Sequence, residues 1–329
     1  MDINKIKDNG LIKYLLENGG VLNVLEPEFD KKDYDSISCM NPSIVFADNR
    51  LFFNVRAVNY NLYNSDTREF NWNDQPVVYV NSSHTLTTHN YIGELDPETL
   101  EIKSSGIVHM EKNEIPKWHF IGLEDARLTY WSNKLHLIGV RRDTDNKGTG
   151  RMEISDIEFI DNKWTETNRY RIPSPEDSYC EKNWMPVLDR AYTFVRWTLP
   201  TEIVTYNIHS KELKSESRRF TLENNLDAIR GDSQLVWYNG YYWAIGHTCK
   251  LTVYDPNTRS RSGIYKHYIL KFDKDLNLIN ISEPWSYNND FSVEFGCGLA
   301  IKDNMAYISF AEDDSMAFII KFKADLLFK

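Results

Sequence analysis

Five segments of the chain share one form: an apolar strand, a tight polar turn and a second aromatic or β-branched strand. They are SIVFADNRLFFNVR, ARLTYWSNKLHLIGVR, WMPVLDRAYTFVRW, SQLVWYNGYYWAIGH and LAIKDNMAYISFAED. A unit recurring every several tens of residues constrains the fold more than any single motif, because each copy must bury its apolar face against its neighbours. The turns fall at Asp48-Asn49, Ser132-Asn133, Asp189-Arg190, Asn239-Gly240 and Asp303-Asn304. Several of these pairs tolerate positive φ in two-residue loops, so each segment reads as a β-hairpin.

Between the hairpins lie further strand candidates: VVYV, TLTTHNYIGEL, RMEISDIEFI, PTEIVTYNI and YKHYILKFD. Two strands from a hairpin and two from the stretch that follows make a four-stranded blade. The chain therefore reads as all-β, a five-bladed β-propeller with a short N-terminal helix. A sandwich of similar hairpins is the rival arrangement. Residues 1–35 are expected to form an N-terminal extension and 36–329 the propeller domain. Within the extension, Ile6 to Asn18 has the spacing of one amphipathic helix ending near Gly19-Gly20, with Leu11, Leu15 and Leu16 on a shared face.

The polar residues favour the propeller. In an antiparallel hairpin, residues before the first strand and after the second share one edge. At that edge stand Asn41 with Arg56, Glu124-Asp125 with Arg141-Arg142, Glu181-Lys182-Asn183 with Arg196, Arg230 and Asp232 with His247, and Glu294 with Asp313-Asp314. Any one such pair is ordinary loop solvation. Five in register predict convergence on one mouth of a central channel. Trp184, Trp197 and Phe295 share the edge, and carboxylates, Arg, Asn and aromatic faces together suit a sugar cleft, pairing hydroxyls and stacking on apolar ring faces.

Composition narrows the partners. A formal net charge of −10 opposes binding to phosphate backbones or anionic lipid surfaces, and no basic run exceeds a pair of Arg residues. Neither a nucleic acid nor a membrane is an expected partner. The four cysteines, Cys39, Cys180, Cys249 and Cys297, show no metal-ligand spacing, so neither a metal nor another cofactor is expected. The N-terminal residues lack a signal-peptide pattern, and no apolar run reaches the length of a membrane span, which together point to the cytoplasm.

At the blade-edge motifs the chain resembles the β-mannoside phosphorylases of glycoside hydrolase family 130 and the related mannosyltransferases/phosphorylases of glycosyltransferase family 108, five-bladed propellers both. The similarity runs from about Asn41 to Phe318 and is carried by short motifs. Asn41-Pro42 with Arg56 resembles the pair that helps hold the mannosyl unit. Gly122-Leu-Glu124-Asp125-Ala126-Arg127 resembles Gly-x-Glu-Asp-Pro-Arg, with Ala126 in place of Pro; its Asp is the proton donor, which the resemblance places at Asp125. The phosphate-binding set of the family resembles Arg141 or Arg142, Lys182, His247 and Tyr265. The last-blade Asp near the sugar resembles Asp313 in FAEDD. The opening of the fourth blade, Arg230-Gly231-Asp232-Ser233, departs from the Gly-rich, Pro-containing motif of the family.

The resemblance implies an inverting phosphorylase or glycosyltransferase acting on β-mannoside-like substrates. Its partners would be a sugar or oligosaccharide and phosphate, a sugar 1-phosphate or a nucleotide sugar. Most glycosidases need two carboxyl groups, but a phosphate nucleophile removes the need for a base. Phosphate requires cationic and hydrogen-bonding groups instead, which Arg141/Arg142, Lys182, His247 and Tyr265 supply. Sugar contacts are expected from Asn41, Arg56, Glu124, Arg127, Asn183, Arg230, Asp232, Glu294 and Asp313. An inverting hydrolase and a non-catalytic carbohydrate-binding propeller are the alternatives.

Overall fold

The structure, a computed structural model, describes residues 10–28, 38–60, 85–110, 115–218, 229–251, 263–288, 293–312 and 314–329. The described chain is nearly all β, with one α-helix, α1 (Gly10–Glu17), followed by strand β1 (Val21–Val24). Four antiparallel strands, β2 (Ser38–Ala47), β3 (Arg50–Val58), β4 (Leu86–Leu95) and β5 (Ile102–Met110), form a first meander. A short β6 (Phe120–Ile121) lies parallel to β4. The second meander holds β7 (Leu123–Trp131), β8 (Lys134–Arg141), β9 (Arg151–Ile160) and β10 (Lys163–Arg171), and β10 joins it to the first through parallel pairing with β5.

The third comprises β11 (Met185–Pro186), β12 (Thr193–Thr198), β13 (Thr201–Tyr206) and β14 (Leu213–Arg218). In the fourth, β15 (Arg230–Gly231) and β16 (Val236–Tyr238) both pair with β17 (Tyr241–Leu251), which continues to β18 (Gly263–Phe272) and β19 (Leu278–Ile281). The last contains β20 (Glu294–Lys302), β21 (Met305–Glu312) and β22 (Met316–Lys323), with β1 as its outer strand. The segment expected as an N-terminal extension contributes β1 to the last sheet, where Val21 pairs with Lys321 and Val24 with Phe318. VVYV, at 77–80, lies outside the described residues.

Four of the five predicted turns have positive φ at both residues: Asp48 and Asn49 (47° and 65°), Ser132 and Asn133 (50° and 62°), Asn239 and Gly240 (48° and 83°), Asp303 and Asn304 (50° and 60°). These are the left-handed turns that match strand twist. Asp161-Asn162 does the same between β9 and β10, a turn the repeat did not single out. The third expected turn is corrected. Pro186, which has no N–H for the ladder, ends β11, and residues 187–192 loop to β12 with positive φ at Tyr192 rather than at Asp189 or Arg190. The loop is held from the neighbouring meander, where Leu235 donates to Pro186 and accepts from Leu188.

Helix α1 ends as its glycines predict, Gly20 N donating to Leu15 O at 2.9 Å with Gly19 at φ 85°. Its buried face is centred on Ile12 and Leu15, with Leu11 and Leu16 half-buried beside them, a rotation of the expected stripe. This face packs on Phe318, Ile320 and Phe322 of β22. The wider cluster includes Trp243, Tyr287 and Phe310, so one apolar core joins the last two meanders.

The first strands of the meanders meet, and buried side chains bond them to one another. Gln234, fully buried just before β16, donates to Ile44 O (2.9 Å) on β2 and Leu128 O (2.6 Å) on β7, and accepts from Leu299 N (3.2 Å) on β20. Ser43 on β2 donates to Ala126 O and accepts from Leu128 N, at 2.9 and 2.8 Å. Trp131 reaches Val187 O of the third meander at 3.1 Å. Gln234→Leu keeps the bulk and strands two carbonyls and an N–H in a dry centre. At about 1–3 kcal/mol for each unsatisfied group, it should lower unfolding free energy by about 3 kcal/mol or more. Urea unfolding with an unchanged slope checks this, and a loss below about 1 kcal/mol would show that the amide is not the tie.

Candidate active site

The site is built by β-bulges. Register slips between Met40 and Ser43 on β2, between Glu124 and Arg127 on β7, and between Phe295 and Gly298 on β20, all at the same end of the meanders. A bulge adds one residue to a strand and re-aims a side chain. Asn41 and Asp125 occupy two of these bulges in the left-handed region (φ 47° and 51°), which short polar side chains tolerate best. Gly122, at φ 103°, sits so close to Thr88 O that a Cβ would lie 2.3 Å from it, and its N–H is held by Asp143 at 2.9 Å. Ala126 is buried, its carbonyl taken by Ser43 and Asn54.

The two bulges bring Asn41 Nδ2 within 2.7 Å and Arg56 Nη1 within 2.8 Å of Asp125 Oδ1. Arg56, 5% exposed, also lies 3.5 Å from Glu124 and donates to Thr88 Oγ1 (3.2 Å) and the Tyr60 hydroxyl. Burial alone would lift the Asp125 pKa, but Arg56, Arg127, Asn41 and Lys182 hold it below the usual carboxylate range. Glu124 is moved up by burial despite Arg56. Asp314, at φ 49° beyond β21, is pushed up to about 6 by burial and by the Asp125 charge, against the pull of Arg56 and Lys182. The Asp125 and Asp314 carboxyls thus have affinities for protons driven apart.

Of the residues expected at the site, Asn41, Arg56, Glu124 and Asp125 do converge. Asp313 lies outside the described residues; Asp314, its neighbour in FAEDD, is the described carboxyl whose pKa the Asp125 charge raises. Four others are corrected to internal roles. Arg127, 1% exposed, spends its guanidinium on Asp232 O (2.8 Å), Asp125 O (2.6 Å) and Gly231 O (3.3 Å), with Phe295 5.6 Å away. Arg141 is buried against Glu153 (2.7 Å) and Asp143 (3.6 Å). Glu294, fully buried, accepts from the N–H groups of Tyr287 and Asn288 at 2.8 and 2.6 Å. Asp232, also fully buried, lies between His247 and His267.

The next residue, Arg142, is half-buried, donates to Gly148 O and Tyr179 OH, and draws on Glu124. His247 stacks on Tyr265 (5.6 Å between centroids, 25° between planes), whose pKa is raised by burial and by Cys249. Trp184 is buried and donates to Glu181, whereas Trp197 is 42% exposed. The sequence did not single out Tyr60 and Thr88, which fix Arg56, or His267; the first two lie four residues beyond Arg56 and across on β4, with no motif of their own.

Beside the carboxyls is a cavity of about 160 Å³ lined by Lys182, Asn183, Trp197, Arg230 and the Glu181–Arg196 pair. Arg196 is neutralised by Glu181 (2.9 Å) and Glu202 (2.7 Å), and against the effect of burial the hydrogen bonds from Arg196, Ser178 and Ser174 take Glu181 down to about 2. Lys182 and Arg230 are exposed and have no carboxylate within ion-pair distance among the described residues. A larger cavity of about 430 Å³ opens between β5 and β10, around Phe159 and Trp164, away from the bulges. Among the described residues no cluster of His, Cys, Asp and Glu is arranged to hold a metal ion.

No family model matches the sequence, and neither does any curated protein. Solved structures do match. A β-1,2-mannobiose phosphorylase from Listeria innocua, determined with β-1,2-mannobiose, superposes with a TM-score of 0.54 over 92% of this chain and 94% of its own, at 9% identity. The fold is that of a mannoside phosphorylase. A structure described under the GH130 family of mannoside phosphorylases, which contains glycoside hydrolases targeting β-1,2-mannosidic linkages in Candida mannan, gives a TM-score of 0.58 over 92% and 91% of the chains, at 13% identity. A glycosyl hydrolase from Bacteroides ovatus gives 0.53 over 88% and 84%, at 10%. The chain thus shares its fold with these structures at 9–13% identity.

The Asp314 shift has a sign that can be checked. Its folded pKa is above the unfolded value of 3.8, so the folded chain binds the proton more tightly. Stability from this group is present below about pH 4 and is lost as pH rises to about 6. Asp314→Asn should therefore melt above the parent at pH 7–8, with the difference closing by pH 4. A difference independent of pH would show that the charge on Asp314 is not the cause.

Proposed function

We propose that the chain is a five-bladed β-propeller enzyme that transfers a glycosyl group between a β-mannoside-like sugar and phosphate, each meander being one blade. The observation that carries this reading is a pair of cations, Lys182 and Arg230, that line one cavity and have no ion-pair partner among the described residues, Lys182 also acting on the Asp125 and Asp314 charges. Arg56, Arg141 and Arg196 are neutralised by the protein itself, so a chain with net charge −10 keeps these two charges for an anion. Charge-assisted contacts suit phosphate or a sugar phosphate and consume no proton.

In this reading Arg56 and Asn41 hold Asp125, which meets a sugar hydroxyl or the leaving oxygen. Since Asp125 is ionised in the free site, the proton that the leaving oxygen requires is carried by the Asp125–Asp314 pair as a unit. Phosphate oxygen forms the bond to the anomeric carbon, the glycosidic bond breaks, and its electron pair takes that proton. Trp197 offers an apolar face to a sugar ring at the cavity wall. The similarity to mannoside phosphorylases supports mannose as the first sugar to try, and a cytoplasmic location belongs to the same reading.

The test is incubation with mannose 1-phosphate and a panel of acceptor sugars, with released phosphate measured. Acceptor-dependent release supports transfer. Product formed from β-mannosides in water, with no response to phosphate, would overturn it in favour of hydrolysis, and binding without turnover would reduce the chain to a sugar-binding propeller.

A further inference from the structure

The fourth meander carries a row of polar side chains leading away from the cavity. Arg230 on β15 is directly opposite His247 on β17, His247 is opposite His267 on β18, and His267 is bridged to Trp285. Directly opposed residues in an antiparallel pair have side chains on the same face. Past β15 the backbone turns so that the N–H groups of both Asp232 and Ser233 reach Ile245 O, at 3.0 and 3.2 Å. That turn drives the Asp232 carboxyl into the row. Its Oδ1 bonds His247 Nδ1, its Oδ2 lies 3.1 Å from His267 Nδ1, and its main-chain oxygen is pinned by Arg127.

An ionised carboxylate only accepts hydrogen bonds. Burial favours the protonated form of Asp232, but His247 and His267 outweigh it and hold the pKa below the usual range. Each imidazole must then carry a proton on Nδ1, and a neutral ring so bonded has its lone pair on Nε2. For His267 that atom is buried, without a hydrogen bond, and 3.7 Å from Glu294. For His247 no hydrogen bond ties Nε2 to another described residue, and the ring is packed between Tyr265 and Phe295 with Arg230 opposite.

We propose that Asp232 is a positioning residue that locks His247 in its Nδ1-protonated tautomer, making Nε2 a hydrogen-bond acceptor for the P–OH group of monohydrogen phosphate. This rests on the phosphate reading of the cavity. As a phosphate oxygen bonds to the anomeric carbon, the P–OH proton passes to His247 Nε2; the leaving oxygen takes its proton from the Asp125–Asp314 pair. Exchange with solvent then restores both groups, so the net movement is one proton from phosphate to the released hydroxyl. The titratable and charged groups around His247 are Asp232, His267 and Tyr265, with Arg230 across the strand and Cys249 two residues along. A fixed tautomer is what distinguishes an acceptor from a donor at this wall, and mis-setting it disables an otherwise intact site.

The test reads ring nitrogens directly. In ¹⁵N-histidine-labelled protein without sugar or phosphate, two of the eight histidines should show protonated Nδ1 and bare Nε2 at pH 7.5, with His267→Gln removing one of the two patterns. Asp232→Asn offers one acceptor and one donor, so one ring should switch to Nε2–H, and kcat/KM should fall at least about tenfold. Inorganic phosphate should move the Nε2 signal of His247. Wild-type rings both protonated on Nε2, or no switch in a folded Asp232→Asn, would overturn the lock, and the wild-type spectrum decides even if that variant does not fold. Phosphate release with His247 unmoved by phosphate would overturn the acceptor role and leave the proposed function standing. Fixed tautomers in a protein that releases no phosphate would sink the proposed function and retain the lock.

Discussion

Asp125→Asn should lower acceptor-dependent phosphate release by about 10²–10⁴-fold, the usual cost of losing a general acid, while sugar binding stays within a few-fold. The amide fills the same bulge and can still meet Arg56 through its oxygen, so the pocket is kept. What is lost is the charge that raises Asp314 and the carboxyl through which the pair delivers its proton. A second readout follows: with that charge gone, the Asp314 pKa should move down from about 6 towards the ordinary carboxylate range. Steady-state rates and a carboxyl titration measure the two effects. Full activity in this variant would remove Asp125 from the chemistry and leave it a sugar contact.

Lys182→Ala should weaken phosphate or sugar-phosphate binding about ten- to a hundredfold, the loss of one charge-assisted contact of about 1.5–3 kcal/mol, and leave a neutral sugar almost unaffected. Lys182 is exposed and no ion pair among the described residues uses it, so its removal breaks no short charged contact and should cost little stability. Calorimetry with phosphate and with a neutral mannoside separates the outcomes. Equal weakening of both would mean a collapsed cavity, and no change in either would assign the cation site elsewhere. Lys182 also helps hold Asp125 low and opposes the rise of Asp314, so the alanine variant should shift the acid limb of the rate profile to higher pH.

The sequence made some of this legible and hid the rest for a definite reason. Asn, Asp and Gly at two-residue turns announce their own backbone, so four hairpins were readable residue by residue. The turn around Asp189 was not, because Pro186 and the partnership with Leu235 are decided by a neighbouring sheet. Convergence of Asn41, Arg56 and Asp125 was readable from shared position at strand ends. Whether a charged residue there points into the cavity or into the wall was not, because each bulge inserts a residue and reverses the alternation of faces beyond it. Arg142 rather than Arg141 lies towards Glu124, and Arg127, Asp232 and Glu294 are consumed by internal bonds. Arg230, expected among the sugar contacts, lines the same cavity as Lys182.

Strand β1 has a consequence for how the molecule is made. Val21 pairs with Lys321, 300 positions later (321 − 21), so the last sheet closes over nearly the whole length of the chain. Contacts of such separation are entropically late, and they slow folding relative to local hairpins. During synthesis the first four meanders can emerge and pack while β20–β22 are still to come, leaving β1 and the apolar side of α1 waiting without their partner. Strand β22 is thus what closes the last sheet onto β1, and the turn that carries Asp314 comes into place with it. The same few residues close the last sheet and set the Asp314 carboxyl within reach of the Asp125 charge.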